Sequence, residues 1–287
     1  MVERCYVAAS LDEALKIRKE TGAHVLAGGT DLMVQFRQGT GISPVFPFPV
    51  VIISSVRELD DITAGDDGTV TIGALAVPAR IAASQLVPYP VRAAAARMGA
   101  PALRNSATIG GNIGNASPKG DLPQPLIMLD ARVVLTSLDG EREMLLDDFI
   151  LGSKKTALRD DEIISAVRIP PVSWSYVFYR KIGTRRANAI SKLSLSALMR
   201  FEDGRIADFR AASGASGPKV IRSREAENML KGLDDAEARA ELPAFLDAWN
   251  EALSPHAMPQ YRRNTTRRML EHFITSALEH PQSEIIV

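Results

Sequence analysis

The stretch PALRNSATIGGNIGNASPKGDLPQP, residues 101–125, decides how the rest of the chain is interpreted. Four of its glycines, at positions 110, 111, 114 and 120, fall within eleven residues. Glycine admits positive φ and lets another group approach the backbone closely, and the neighbouring asparagines and serines favour turns. The composition therefore predicts a large loop whose backbone N–H groups form a concave site for an anion.

A second stretch, VLAGGTDL at residues 25–32, has the same character. We expect a strand over residues 24–27, a glycine turn, and a short helix over 32–37 capped by Thr30 or Asp31. A glycine turn between a strand and a helix suits a phosphate, because the helix N-terminus carries free N–H groups and partial positive charge. Two such loops predict a ligand with two phosphates.

Five motifs, in this order, resemble the FAD-binding medium subunit of the molybdenum hydroxylases, as in bacterial xanthine dehydrogenases and carbon monoxide dehydrogenase. One glycine loop alone is weak evidence, whereas five ordered motifs that span nearly the whole chain are specific. The motifs are AGGTD (27–31), TIGGN (108–112, preceded by RN at 104–105), ASPKGDLPQPL (116–126), DEIISAVRIP (161–170) and FYRKIGTRRANAISKLSLS (178–196).

The resemblance implies an α+β fold in two parts. The first is a FAD-binding domain of the PCMH (vanillyl-alcohol-oxidase-like) type over residues 1–172, with subdomains at about 1–55 and 56–172. The pattern of residues 1–55 by itself predicts a small β-α-β-α-β unit. The second part, residues 173–287, resembles the carbon monoxide dehydrogenase flavoprotein C-terminal domain. There the residue pattern predicts an antiparallel sheet (175–181, 194–201, 205–212) followed by three helices (222–230, 236–252, 259–278).

The resemblance also implies a set of FAD-binding residues on both glycine stretches, Asp121 included, and at three other positions. Asp121 is implied to contact the flavin, where a carboxylate suits the ribityl hydroxyls; alternatively it caps a helix over 122–129. Met98 lies near the isoalloxazine or packs in the core, and Ile164 contacts the ring through its backbone or is an ordinary strand residue. Lys181 contacts the flavin or is solvated. The whole set is Val25, Leu26, Ala27, Gly28, Gly29, Thr30, Asp31, Leu32, Met98, Thr108, Ile109, Gly110, Gly111, Asn112, Asp121, Ile164 and Lys181.

The amino-acid composition argues against several classes of function. With 34 basic and 34 acidic residues the formal net charge is zero, which argues against a general nucleic-acid binder. The single cysteine, Cys5, cannot build an iron–sulfur cluster or a zinc site, and we expect it to be buried or half-buried. The four histidines show no metal-ligand spacing, and no G-x-G-x-x-G or P-loop motif follows a strand. No stretch is long and apolar enough for a membrane span or a signal core, which predicts a cytoplasmic protein.

The resemblance implies a non-covalent FAD, because neither glycine stretch contains a histidine or cysteine. It further implies a small partner subunit with [2Fe–2S] clusters, a large partner subunit with molybdopterin, and electron transfer through the FAD to NAD⁺ or another acceptor. A dimer of heterotrimers is expected. Arg185 and Arg186 either join an ion-pair network or face a partner or a pyridine nucleotide.

Residues 2–20 and the TDLMVQ segment at 30–35 resemble xanthine dehydrogenase medium subunits more than carbon monoxide dehydrogenase ones, and this resemblance implies a xanthine or purine dehydrogenase. Nicotinate, aldehyde, N-heterocycle or carbon monoxide oxidation remain alternatives for the complete enzyme. A stand-alone flavin oxidoreductase and a non-catalytic nucleotide-binding module are the alternatives from other classes.

Overall fold

The first part of the chain is a three-stranded parallel sheet, in the order β1-β3-β2, that packs against one helix. The computed structural model describes residues 4–185, 187–279 and 285–286. Ser10 caps the helix by accepting a hydrogen bond from the Glu13 N–H, and Gly22, with φ of 65°, ends it. The elements are β1 (Cys5–Val7), α1 (Leu11–Thr21), β2 (His24–Leu26), α2 (Leu32–Gln35) and β3 (Val50–Ile52), which is the predicted β-α-β-α-β order.

Cys5 is exposed, so the prediction of a buried or half-buried cysteine is wrong. The residue lies on β1, which is at the edge of the sheet. Successive side chains of a strand point to opposite faces. Tyr6 packs against the small core formed by α1 and β3, and this leaves Cys5 and Val7 on the outer face.

The second part is a five-stranded antiparallel sheet, in the order β4-β5-β10-β6-β7, whose core is covered by short helices. Its elements begin with a 3₁₀ helix at Arg57–Leu59. They continue with β4 (Ile62–Ala64), β5 (Val70–Gly73), α3 (Pro78–Ala83), α4 (Tyr89–Ala96), α5 (Pro101–Arg104), α6 (Ile109–Gly114), α7 (Pro123–Met128), β6 (Arg132–Ser137), β7 (Gly140–Leu145), α8 (Leu146–Phe149), β8 (Ile150–Gly152), β9 (Lys155–Thr156) and β10 (Ile163–Ile169).

The third part is a sheet in the order β13-β12-β11-β14, followed in the chain by the three predicted helices. The hairpin between residues 193–202 and 205–214 of this sheet has its turn at Asp203 and Gly204. Both residues have positive φ, as the Asp-Gly pair predicts. No helix of the described residues is long and apolar enough to cross a membrane. The elements are β11 (Tyr176–Ile182), β12 (Leu193–Glu202), β13 (Arg205–Gly214), α9 (Arg224–Leu230), α10 (Asp235–Ala252), α11 (Pro259–Glu279) and β14 (Ile285–Ile286).

Strand β11 separates two hydrophobic cores. Tyr176 and Phe178 pack in the core shared with α9, α10 and α11, whereas Val177 and Tyr179 pack in the core of the second part. This is the two-residue alternation of a strand buried on both faces. Neighbouring residues at the end of β11 therefore face different surroundings.

Candidate functional site

The two glycine stretches pack directly against each other. A Cβ atom on Gly28 would lie 1.8 Å from the Ser106 carbonyl oxygen, so no side chain fits at this position. Gly29 follows with φ of 68°, a conformation that glycine adopts at little cost. The turn after β2 is thus fixed by contact with the second stretch as well as by its own backbone.

The first stretch carries the backbone donors that the sequence predicts. Within the described residues, the N–H groups of residues 28–32 donate to no protein acceptor. Asp31 is the N-cap residue of α2, as predicted, but its side chain makes no hydrogen bond that caps the helix. Five unpaired N–H groups at the start of a turn and helix form a site suited to an anion.

The second stretch is not an open loop. Residues 109–114 form the helix α6, so the prediction of a large loop is wrong there. The helix forms because Thr108 caps it and because Gly110 allows close contact with Ala74, where a Cβ would come within 2.8 Å. The N–H groups of residues 109–112 donate, in order, to the carbonyls of Ala76 and Ala74 and to the hydroxyl and carbonyl of Thr108, at 3.0, 2.9, 3.1 and 2.9 Å.

Gly111 leaves space open at the surface of α6. A Cβ on this residue would meet one neighbour within 4 Å, the Thr108 hydroxyl at 3.0 Å. The Thr108 hydroxyl accepts from the Gly111 N–H, and its own proton stays available for donation. Gly111 therefore forms a cradle that a side chain would fill.

Lys154, a residue that sequence reasoning missed, links the two stretches. Its Nζ donates to Asp31 Oδ2 at 3.2 Å and to Asn115 Oδ1. Its backbone N–H donates to the Ala116 carbonyl at 3.0 Å, and its φ is 60°. The sequence signal is weak, since the lysine lies in a GSKKT turn far from both partners along the chain.

Lys181 and Asp121 form a nearly buried ion pair. Lys181 Nζ donates to Asp121 Oδ2 at 2.7 Å and to the Arg97 carbonyl at 3.1 Å. The second carboxylate oxygen of Asp121 accepts from Ser191 Oγ at 2.8 Å. The two side chains are 7% and 10% exposed, so Lys181 is not a solvated lysine. Asp121 does not cap α7, whose N-cap residue is Leu122 and has no side-chain bond, so that alternative is wrong.

Burial shifts the ionisation of this pair and of its neighbour Tyr179. Burial raises the pKa of Asp121, and the Lys181 ammonium and the Ser191 hydroxyl only partly oppose this effect. Burial, together with the nearby Asp121, raises the pKa of Tyr179 well above its usual range. The Tyr179 hydroxyl is buried without a hydrogen-bond partner among the described residues. The phenol is therefore a neutral, unused donor close to the carboxylate.

Met98, Ile164 and Asn112 connect the stretches to the ion pair. Met98 follows α4 and lies in the core, 8% exposed, next to the Arg97 carbonyl that accepts from Lys181. Ile164 packs beneath α6, with its Cδ1 3.3 Å from the place where a Gly114 Cβ would lie. Asn112 Oδ1 accepts from the Leu122 N–H at 3.3 Å. Most of the predicted residues therefore belong to one continuous region.

Comparison with known proteins identifies the family. Residues 1–172 match the family described as "FAD binding domain in molybdopterin dehydrogenase", and residues 178–277 match the "CO dehydrogenase flavoprotein C-terminal domain". The chain belongs to the FAD-binding family of the molybdopterin dehydrogenases. The family resemblance, the fold class and the FAD cofactor inferred from the sequence are confirmed.

Three proteins that are similar to this chain have different names within the family. The chain is 29% identical to the nicotinate dehydrogenase FAD-subunit of Eubacterium barkeri, over 96% of this chain and 95% of that protein. It is also 29% identical to the xanthine dehydrogenase FAD-binding subunit of Escherichia coli O157:H7, over 94% of each. The structure of carbon monoxide dehydrogenase from Hydrogenophaga pseudoflava superposes with a TM-score of 0.86 at 25% identity, covering 96% of this chain and 97% of that one.

The residues present fit a flavin dinucleotide. The unpaired N–H groups of residues 28–32 suit a diphosphate, and the open side of Gly111 admits a close neighbour. Asp121 and the orphan hydroxyl of Tyr179 suit the polar groups of the flavin half. The Arg185 guanidinium donates to the carbonyls of Ala187 and Asn188 in its own loop, while Arg186 lies outside the described residues.

Proposed function

We propose that this chain is the electron-transfer subunit of a molybdenum hydroxylase and holds one FAD non-covalently between its two glycine stretches. The observation that carries the proposal is the group of unpaired N–H donors at residues 28–32, packed against the stretch that contains the open Gly111. When bound, FAD supplies two-electron redox chemistry that links an electron donor to an acceptor.

The first stretch binds the diphosphate in this proposal. Its five N–H groups neutralise phosphate oxygens without a basic side chain, as at other helix N-termini. Because the N–H groups of residues 109–112 are bonded within the protein, the second stretch contributes the Thr108 hydroxyl and the open surface at Gly111 instead. Lys154 holds the stretches together through Asp31 and Asn115.

The ion pair orients the flavin half. With FAD bound, Asp121 would accept from a ribityl hydroxyl, and Lys181 would place a positive charge near the ring system. Both side chains are almost buried and fixed by Ser191 and the Arg97 carbonyl, which supports a positioning role. No histidine or cysteine occurs in either stretch, which supports non-covalent binding.

We further propose an iron–sulfur subunit and a molybdopterin subunit as partners, with NAD⁺ or another electron acceptor and a dimer of heterotrimers as the assembly. A single cysteine cannot hold a [2Fe–2S] cluster, so the cluster ligands must come from outside these 287 residues. The proposed domains are residues 1–172, divided near 55, and residues 173–287. The cytoplasmic location stays a prediction.

A purine is the proposed substrate of the complete enzyme, on the resemblance of residues 2–20 and 30–35 to xanthine dehydrogenase subunits. The equal identity to a nicotinate and a xanthine dehydrogenase subunit favours neither substrate. Nicotinate is therefore the second candidate. Assay of the assembled complex with xanthine and with nicotinate separates the two.

Titration of the apoprotein with FAD, FMN and riboflavin tests the proposed site. We expect one FAD per chain, released by denaturation, and much weaker binding of FMN and riboflavin, which lack the diphosphate. Flavin fluorescence and visible absorption report the binding. If FMN or riboflavin bound as tightly as FAD, the assignment of residues 28–32 to the diphosphate would be wrong.

A further inference from the structure

Lys154 occupies a backbone conformation that a lysine rarely adopts. It is the second residue of the two-residue turn between β8 and β9, and its φ is 60°. In this left-handed region glycine is unstrained and asparagine is tolerated, whereas a lysine is disfavoured. A residue kept in such a conformation is best explained by what its side chain contacts.

The ammonium group of Lys154 contacts both glycine stretches. Its Nζ donates to Asp31 Oδ2 on the first stretch, at 3.2 Å, and to Asn115 Oδ1 at the end of α6. Its backbone N–H donates to the Ala116 carbonyl at 3.0 Å, which fixes the turn against the second stretch. The lysine therefore reaches Asp31 from a turn that is attached to the second stretch.

Asp31 is an acidic residue within the segment that we assign to the diphosphate. It belongs to residues 28–32, whose N–H groups donate to no protein acceptor within the described residues. An aspartate at an N-cap position commonly turns its carboxylate to the N–H groups of the first helical turn, but this side chain makes no such bond. An unpaired carboxylate here would repel a phosphate group, because like charges in one site destabilise each other.

Two side chains hold the Asp31 carboxylate, and one of them neutralises it. Gln35, one turn further along α2, donates from Nε2 to Asp31 Oδ2, and Lys154 donates to the same oxygen. The bond to Gln35 draws the carboxylate along the helix, away from the N–H groups at its start. The side chains of Lys154 and Asp31 are 50% and 51% exposed, so their ion pair adds little to the stability of the fold. Its main consequence is the charge and the position of Asp31.

We propose that Lys154 is a positioning residue for FAD that acts through Asp31. It neutralises the Asp31 carboxylate and holds it away from the N–H groups that bind the diphosphate. This inference rests on the proposed flavin site and adds to it a residue that determines affinity for the diphosphate. Lys155, the next residue, is also an exposed lysine but belongs to none of the ion pairs among the described residues, and it is the matched control.

Fluorescence titration of the apoprotein with FAD tests the proposal in a double-variant cycle. Lys154→Met should weaken FAD binding at least tenfold, because the Asp31 carboxylate is then unpaired beside the diphosphate. Lys155→Met should leave the affinity within about twofold of the parent. The double variant Asp31→Asn with Lys154→Met should return to within about threefold of the parent, since no carboxylate remains to be neutralised.

Circular dichroism and thermal unfolding of the same apoproteins report folding separately, and Lys154→Met should unfold at nearly the temperature of the parent. Unchanged FAD affinity in Lys154→Met, or an equal loss in Lys155→Met, would overturn the proposal. So would a loss that Asp31→Asn does not reduce, because Lys154 would then act on the diphosphate directly or through the fold. Failure of the parent chain to bind FAD would instead contradict the flavin proposal.

Discussion

The four glycines in the two motifs are under different steric constraints. Gly28 and Gly110 are needed for contact between elements, since a Cβ would lie 1.8 Å from the Ser106 oxygen and 2.8 Å from the Ala74 Cβ. Gly29 is needed for its positive φ. Gly111 has neither constraint, because a Cβ there would meet one flexible hydroxyl. Substitution at these positions should therefore give different results.

Gly111→Val should remove FAD and keep the fold, whereas Gly28→Ala should destabilise the protein itself. The valine side chain would occupy the open cradle, while the alanine at position 28 would force the two stretches apart. Flavin-to-protein ratio and thermal unfolding measure the two effects. Gly152→Ala, where a Cβ meets nothing within 4 Å, is the control for both. Full flavin content in Gly111→Val would contradict the placement of FAD on α6.

Lys181→Met should destabilise the protein by about 3–5 kcal/mol, because it leaves the buried Asp121 carboxylate without its partner. Asp121→Asn in the same chain should recover much of this loss by removing the unpaired charge. Urea unfolding of the two single variants and the double variant measures the coupling. Additive losses would mean that the two side chains do not act as a pair.

The same variants should move the potential of bound FAD in opposite directions. Loss of the Lys181 charge disfavours added negative charge on the flavin and lowers the two-electron potential, while Asp121→Asn raises it. Two unit charges about 4 Å apart interact by about 4 kcal/mol at an effective dielectric of about 20. A fraction of this, about 1.4 kcal/mol, corresponds to roughly 30 mV for two electrons. Spectroelectrochemical titration measures both shifts, and shifts of the same sign would exclude the electrostatic role.

At the scale of elements, the sequence predicts the strands and helices of the third part well and the second glycine stretch poorly. The residues IGGNIG of α6 have low helix propensity, so the helix depends on its Thr108 cap and on packing against Ala74. Such contacts join residues that are distant along the chain, so they produce no recognisable pattern in the local sequence. The same holds for Lys154, whose partner Asp31 is 123 residues away, and for the Lys181–Asp121 pair, 60 residues apart.

Asp130, two residues after the end of α7, joins this helix to the third part of the chain. Asp130 accepts hydrogen bonds from Arg210 at 2.9 Å, Arg222 at 2.8 Å and Arg224 at 2.6 Å. Burial tends to raise the pKa of Asp130, but the three guanidinium groups outweigh it, and the pKa is lowered. The cluster therefore stabilises the contact between α7, β13 and α9 in its ionised form.

Asp130→Asn should cost about 1.5–3 kcal/mol of stability at neutral pH, through loss of charge-assisted hydrogen bonds. A carboxyl group whose pKa is lowered on folding stabilises the protein above its unfolded pKa, which is close to 3.8, and this contribution is lost as the pH falls through that region. The variant should thus lose less stability than the parent between neutral and acid pH. Urea unfolding across this range measures it, with Asp247→Asn, in an exposed pair, as the control. Equal acid sensitivity in the variant and the parent would contradict the assignment.

At the scale of the whole molecule, the sheet that contains β11 packs against other elements on both of its faces and separates two hydrophobic cores. On one face it meets α7, where the buried Gln124 accepts from Ser196 Oγ at 2.9 Å and the Lys181–Asp121 pair closes the contact. On the other face it carries α9, α10 and α11. Strand β11 therefore contributes side chains to both hydrophobic cores.

The isolated chain should catalyse NADH-dependent reduction of an artificial electron acceptor but should not oxidise xanthine or nicotinate. The first activity needs FAD and an accessible flavin. The second needs a centre that inserts oxygen and a relay of iron–sulfur clusters, and one cysteine cannot supply the cluster ligands. Spectrophotometric assays of the purified, metal-free chain measure both activities. Gly111→Val, which should lack FAD, is the control for the first. Xanthine-dependent reduction of NAD⁺ by the isolated chain would favour a stand-alone flavin oxidoreductase. Absence of both activities in a flavin-loaded chain would mean that the acceptor site requires a partner subunit.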